Sequence, residues 1–376
     1  MQPLLVAGRG PDSLTEAQVL ANINSPALRV SSGLELLDQD LTVLDDISDS
    51  LESGSVSRDN TATIHGACSL KIAGSLDWGS AIVRPYMTLS DDFGRTLRYN
   101  LGAYYTSTPV HDPSSSPVIY DVTGYDLLEA LSSPVGSAYS VDKGSAYLDA
   151  VVQILADQGF SQVLLDPDRS TTTLTSARVW PLDENITWLT VINDLLNAVG
   201  YEGIWADWNG VLRARAYQVP TMRTPEWVYD TGDTTSLLST KRTVTRDFFD
   251  APNRWVFVRS NEPDGTTPVE GDGIYTFVNQ SDGPTSVDAR GRVISTVVPT
   301  EAADQAALVA SASQTIAEQQ RIDVKVVAST APNPLHWHQD RLLLSDPAIG
   351  EDIDVLETSW SLPLDGSDMD HAWKGL

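Results

Sequence analysis

The chain has almost no cysteine, little histidine and a shortage of positive charge. Cys68 is the single cysteine among 376 residues, so no disulfide forms within the chain and no cysteine-based zinc site is possible. It sits in the β-rich run 61–72 and reads as a small buried hydrophobe. Lys and Arg number 24 against 51 Asp and Glu, a net charge of −27, and the deficit is spread along the chain without an acidic tail. Such a surface suits solubility and disfavours nucleic acid or anionic membrane as a partner, because both are negative. No stretch approaches the ~18 apolar residues of a membrane-spanning helix. The start, Met1-Gln-Pro-Leu-Leu-Val-Ala, lacks the charged region and apolar core of a signal peptide, so folding in a reducing cytoplasm is expected. Gly-x-Ser-x-Gly, Walker and Rossmann fingerprints are also missing, and Gly8-Arg-Gly10 is too short to stand for one.

What is present is a globular composition, 41% hydrophobic with 10 Trp and 12 Tyr, in a chain long enough for two to four domains. Ser13 followed by Glu16 is a capping-box pattern that predicts a helix over 13–22. From Leu34 to about Pro117 the signal is β. Strands are expected at 38–44, 62–65, 69–72, 81–89 and 96–105, separated by Gly, Asp, Asn and Ser clusters as an antiparallel barrel or sandwich requires. Pro113-Ser-Ser-Ser-Pro117 reads as a loop at a domain boundary.

A short α/β unit follows, from Tyr120 to Tyr217. Its first segment, 120–131, reads as a strand turning through Gly124 into a short helix. Residues 145–159 place Leu148, Val151, Val152 and Leu155 on one helical face, with Gly159 as the stop. Residues 187–200 repeat the design with Trp188, Val191, Ile192, Leu195, Leu196 and Val199, ending at Gly200. Asn209-Gly210 predicts the turn of a hairpin over 201–217. From 220 onward β signals return at 241–246, 254–259, 274–278, 293–298, 322–327, 340–344 and 353–362, with an Ala- and Gln-rich helix from Glu301 to about Gln320. The expected fold is therefore mostly β with an α/β part. Two antiparallel β-barrel domains, 1–118 and 220–376, flank a small α/β domain, 119–219. A β-plus-helix insertion at about 253–321 interrupts the second barrel.

Candidates for chemistry are few. His336 and His338 stand two apart, and in a strand both imidazoles would face one side and could reach one metal. On a loop before a strand they read as interface or cap residues, so no metal and no cofactor is expected. His65, His111 and His371 lie in unrelated sequence contexts. Asp45-Asp46, Asp91-Asp92 and Asp166-Pro-Asp168 offer paired carboxylates for a hydrolase, but all three lie in turn-like sequence and read as solvated turns. The acidic residues at 40–49 lack the spacing and central Gly of an EF-hand loop. Lys241, Arg242, Arg246, Arg254 and Arg259 concentrate positive charge on an otherwise acidic chain. They are interface candidates for an acidic neighbouring subunit, or alternating solvent-facing strand residues.

Several segments together carry a resemblance. Residues 76–87 (Leu-Asp-Trp-Gly-Ser-Ala-Ile-Val-Arg-Pro-Tyr-Met) and Tyr99-Asn-Leu-Gly-Ala-Tyr-Tyr105 are similar to the first barrel of actinobacteriophage minor tail proteins. Tyr120-Asp-Val-Thr-Gly-Tyr-Asp126, residues 189–196 and Asp207-Trp-Asn-Gly-Val-Leu212 resemble their α/β domain. Pro332-Asn-Pro334, Asp340-Arg-Leu-Leu-Leu344 and Trp360-Ser-Leu-Pro-Leu364 resemble the closing strands of the second barrel. The whole layout resembles phage tail hub or tail-tip proteins of the gp27-like baseplate-hub type.

The resemblance implies a non-enzymatic virion protein at the tail tip. Such a hub is a homotrimer joining a sixfold tail tube and distal tail ring to threefold fibre or receptor-binding proteins, near the tape-measure protein. It transfers no catalytic residues, and residues up to Leu376 include no peptidase or hydrolase tail of the kind some relatives carry. An acidic trimer would line the DNA exit channel with negative charge, so DNA would slide without specific binding. Two alternatives remain open at this point. One is a carbohydrate-binding accessory tail protein using exposed Trp205, Trp208 or Trp255; the other is a hub of a phage-derived injection system.

Overall fold

The computed structural model describes residues 1–5, 14–74, 81–107, 109–111, 117–166, 172–232, 237–247, 251–259, 268–300, 305–319, 323–348 and 351–376. The Ser13 cap, the Gly8-Arg-Gly10 run, the loop at 113–116, Asp168 and residues 76–80 lie outside the described residues. The protein is mostly β with a small α/β part, and it divides into two compact units. One comprises Met1–Arg242, Val327–Lys374 and Leu376; the other is Thr243–Val326 with Gly375.

In the first unit, helix α1 (Glu16–Ile23) is capped by Thr15, which shares a reciprocal capping box with Gln18. The true box thus begins two residues later than the Ser13–Glu16 pattern. Then come β1 (Arg29–Leu37), β2 (Val43–Asp46), β3 (Leu51–Asp59), β4 (Gly66–Ala73), β5 (Ile82–Ser90), β6 (Thr96–Asn100), β7 (Tyr104–Thr106), β8 (Val110–His111) and β9 (Ile119–Asp126). The strand expected at 38–44 starts late because Asp38 accepts from the amides of Asp40 and Thr42 and closes a turn first. Residues 62–65 form a turn, with Asp59 accepting from Thr61.

Gly124 does not turn the chain. It stays in β9, paired with Cys68 of β4 and Thr106 of β7, and glycine is required there because a Cβ would lie 2.7 Å from Cys68 Sγ and 3.0 Å from Tyr104 Cβ. Asp126 then caps a 3₁₀ turn at Leu127–Leu131 by accepting from the Leu128 amide at 3.1 Å.

The α/β part holds β10 (Tyr139–Val141), α2 (Tyr147–Asp157), β11 (Val163–Asp166), β12 (Arg178–Trp180), α3 (Trp188–Ala198), β13 (Trp205–Ala206) and β14 (Leu212–Arg215). Both helices bury their stripes in one core with Leu127, Leu128 and Leu131. On α2 the buried fourth member is Ile154, and Val152 is 44% exposed, because the helix turns its face about one residue from the expected line. Thr187 caps α3. The hairpin turn is as expected, with Gly210 at φ +90°, a backbone conformation that glycine adopts without a Cβ clash.

After β15 (Trp227–Asp230) the chain enters the second unit within β16 (Leu238–Asp247), at Thr243. That unit has a four-stranded sheet of β17 (Arg254–Arg259), β18 (Val269–Glu270), β19 (Gly273–Val278) and β20 (Ser295–Thr300), ordered β18-β19-β17-β20. Helix α4 (Val287–Arg290) precedes β20 and α5 (Gln305–Gln319) follows it. Leu308, Ala312 and Ile316 of α5 pack on Trp255 and Phe257 of β17. The chain continues through β21 (Asp323–Thr330), β22 (Arg341–Asp346), β23 (Glu351–Pro363) and β24 (Met369–Gly375).

In the first unit, strands from the two ends of the sequence share one sheet. Its neighbours run β24-β23-β3-β4-β9-β7-β5-β1-β2, and the join is antiparallel, with Trp360 opposite Arg58 and Leu362 opposite Val56. Inward side chains alternate at Ile353, Val355 and Glu357 of β23 and at Met369, His371 and Trp373 of β24. That alternation places the polar residues described next.

Candidate functional site

Two polar clusters lie buried in the first unit on either side of the segment 333–340. Pro332 and Pro334 restrict the backbone before it, and Gln339 adopts the left-handed region at φ 48°. Asp340 ties the segment down by accepting from the Trp337 amide at 2.9 Å and pairing with the amino group of Met1.

The first cluster gathers His336, Glu357 of β23 and His371 of β24. His336 Nδ1 lies 2.9 Å from Glu357 Oε2 and 3.2 Å from Asp340 Oδ2. His371 Nδ1 lies 2.5 Å from Glu357 Oε1, which also accepts from Trp373 Nε1 at 3.2 Å. The remote nitrogens are engaged too: His336 Nε2 meets the Tyr229 hydroxyl at 2.5 Å, and His371 Nε2 meets Thr330 Oγ1 at 2.9 Å. His336, Asp340, Glu357 and His371 are at most 2% exposed.

Burial resists charge on every one of these groups, so each depends on its neighbours. Burial opposes ionisation of Glu357, but the two imidazoles more than offset it and hold the carboxyl down at about 2. Burial also opposes charge on His336; Glu357, Tyr229 and Asp340 outweigh it and hold the imidazole well above its usual range. His371 is shifted down, because burial outweighs the attraction of Glu357.

The second cluster is built around Arg58 of β3, 3% exposed. Its guanidinium donates to Asn60 Oδ1 at 2.9 Å, to the Ala206 carbonyl at 3.3 Å and to His338 Nδ1 at 3.1 Å. It also lies 5.2 Å from the centre of the Trp337 ring. Trp337 Nε1 donates to the same Ala206 carbonyl at 2.9 Å. Burial and the Arg58 charge both suppress protonation, taking His65 down to about 3 and His338 well below the usual imidazole range. Asp126 is raised to about 6, chiefly by burial.

His336 and His338 therefore do not share a site. They leave a non-strand segment in different directions, so the period-two argument for one shared metal fails. His371 and His65, distant in sequence, are their actual neighbours, with ring centroids 5.2 Å and 5.3 Å away respectively. Glu357 and Arg58 escaped the sequence reading. The sequence pattern offered a signal for Glu357, a charge in line with the apolar Ile353 and Val355 of β23, and none for Arg58, because β3 is mostly polar.

The paired carboxylates serve as local braces. Asp46 accepts from Ser48 and Tyr86, and Asp91 accepts from the amides of Phe93 and Arg95 and pairs with the Arg95 side chain at 2.5 Å. Among the basic residues, Arg242 pairs with Asp346 and Arg259 with Asp272; Lys241 and Arg254 are exposed, and Arg246 also engages a partner. Trp205, Trp208 and Trp255 are 8%, 7% and 0% exposed, so these side chains do not offer the stacking surface that the carbohydrate-binding alternative would use.

Solved structures share this fold. The tail protein from Neisseria meningitidis MC58 matches with a TM-score of 0.60 at 14% identity, covering 92% of this chain and 96% of that one. The 43 kDa tail protein of prophage MuSo2 from Shewanella oneidensis gives 0.57 at 12% identity, covering 92% and 98%. A chain of the half-lidded Francisella PdpA-VgrG complex gives 0.57 at 11% identity over 96% of this chain, which spans 60% of that one. The chain thus has the fold of phage tail proteins. No protein-family profile and no curated protein matches its sequence.

Proposed function

We propose that this chain, with its phage-tail-protein fold, is a structural tail-tip hub subunit with no catalytic role. The observation that carries the reading is the extent of the likeness: 92% of the chain aligns with nearly the full length of two tail proteins. The placement of its polar chemistry agrees. Both clusters are buried and brace strands far apart in sequence, as a structural scaffold needs.

In this reading three copies ring the tail axis and use their two β regions to match a sixfold tube and distal tail ring on one side. Fibre or receptor-binding proteins attach on the other, and the tape-measure protein ends nearby. The domains 1–118, 119–219 and 220–376 are the working units of that assembly. A net charge of −27 per chain would line the exit channel with negative potential, so DNA phosphates are repelled and do not stick. Imaging of the native particle without imposed symmetry tests the proposal. Three axial copies support it; peripheral copies or another copy number overturn it.

A second reading is favoured by the match to a chain of the PdpA-VgrG complex. In it, the protein is the hub of a phage-derived injection system. Particles lacking a DNA-filled head would select this reading over the first.

A further inference from the structure

We infer that His336, His371 and Glu357 form a binding site for a divalent transition metal ion of the zinc class. One donor atom from each residue lies within 4.8 Å of the others, and all three residues are buried. Imidazole nitrogen and carboxylate oxygen are the donor set that zinc takes at ~2.0–2.2 Å, which places neighbouring ligand atoms about 3.3 Å apart. The separations of 2.9 Å from His336 Nδ1 and 2.5 Å from His371 Nδ1 to the two Glu357 oxygens need only small side-chain adjustments to reach that spacing.

Two further observations point to a cation. Glu357 is fully buried, and a buried carboxylate demands a positive partner; each of its oxygens faces an imidazole nitrogen, His336 Nδ1 at 2.9 Å and His371 Nδ1 at 2.5 Å. The outer contacts also prepare the rings. Thr330 Oγ1 donates to the Ala331 carbonyl at 2.9 Å, so its lone pair receives the Nε2–H of His371. That tautomer leaves the Nδ1 lone pair aimed at Glu357. A ligating histidine fixed by a hydrogen bond from its other nitrogen is the usual outer-shell arrangement of metal sites. On His336 the outer nitrogen Nε2 is held by the Tyr229 hydroxyl at 2.5 Å and Asn333 Nδ2 at 3.3 Å. A cleft of about 410 Å³ lined by Arg58, His65, Trp360 and His371 borders the cluster on the His371 side. The competing cation is a proton on an imidazole, which would make the cluster a purely internal ion pair.

The test uses the full chain without a histidine tag, saturated with Zn²⁺ and dialysed, with metal counted by mass spectrometry. About one ion per chain is expected, with a rise in Tm of about 3 °C or more over the chelator-treated protein. Cobalt(II) in its place should give the visible absorption of a low-symmetry, near-tetrahedral ion. His371→Gln and Glu357→Gln should each lose the ion, whereas His65→Gln should keep it. Wild-type protein that retains no stoichiometric zinc, shows no cobalt absorption and melts unchanged overturns the proposal and leaves the proton as the cation. The wild-type arms decide the matter even if the variants do not fold.

Discussion

Trp205 and His338 stack face to face, with ring centroids 4.8 Å apart and planes 13° from parallel. One belongs to the hairpin of the α/β part and the other to the segment preceding β22. Arg58 of β3 binds both sides through the Ala206 carbonyl and His338 Nδ1. Three regions remote in sequence are thus locked at one buried contact, and the first prediction concerns its charge.

His65 falls from the usual 6.5 to about 3 in the folded protein, and His338 is also held neutral. A lowered folded-state value means stability that is fully present above pH 6.5 and is lost as pH falls toward 3. Asp126, raised to about 6, acts in the opposite sense between its usual 3.8 and 6, as does Glu226, also raised, against three lowered histidines, His65, His338 and His371. Melts across pH 4–8 should therefore show Tm declining below about pH 6.5. His65→Gln should flatten the decline; an unchanged slope would contradict this account.

Trp337 anchors the same contact through its indole N–H. Trp337→Phe keeps most of the apolar volume but leaves the Ala206 carbonyl with one donor fewer. The expected loss is about 1–3 kcal/mol, read as a shift in the denaturation midpoint.

Gly33 of β1 is required by contact, not by backbone angle. A Cβ there would lie 2.1 Å from Tyr86 Cζ, and Tyr86 in turn donates to Asp46 and carries the Arg98 guanidinium 3.7 Å from its ring centre. Gly33→Ala should cost about 1–3 kcal/mol. Pairing it with Tyr86→Ala, which clears the space, should reduce the penalty of the glycine change in a double-mutant cycle.

Asp207 is fully buried and organises the hairpin turn. It accepts from the amides of Asn209 and Val211 at 2.8 Å and 3.0 Å and from Arg213 at 2.6 Å. Asp207→Ala should destabilise the protein by about 2–4 kcal/mol and lower Tm in thermal melts.

The exposed cations test the assembly. Lys241→Glu and Arg254→Glu should each change stability by no more than about 0.5 kcal/mol. If they meet an acidic neighbour, each should reduce incorporation into particles, measured by quantitative blotting of purified tails. Undiminished incorporation of both variants removes these two residues from the interface.

Local signals in the sequence were sufficient where structure is decided locally. Asn209-Gly210 marked its turn because few residue pairs suit that backbone, and the apolar stripes of α2 and α3 marked their helices because 3.6-residue periodicity is a local property. The wrong assignments fell where a neighbour from elsewhere decided the outcome. Gly124 remains in a strand because β4 and β7 pair with it on both sides. Ile154 replaces Val152 in the core because the orientation of α2 is set by what it packs against.

The sequence by itself determined a mostly β protein with an α/β part, an acidic surface, and no disulfide within the chain. Those follow from composition and from periodicities of two and 3.6 residues. Only the tertiary structure decided which histidines meet. His336 and His338 are separated, while His371 and Glu357 are brought to His336 by two neighbouring strands near the end of the chain. The physical reason is that strand pairing joins residues across any sequence distance, so a buried charge and its partner carry no spacing that a sequence displays.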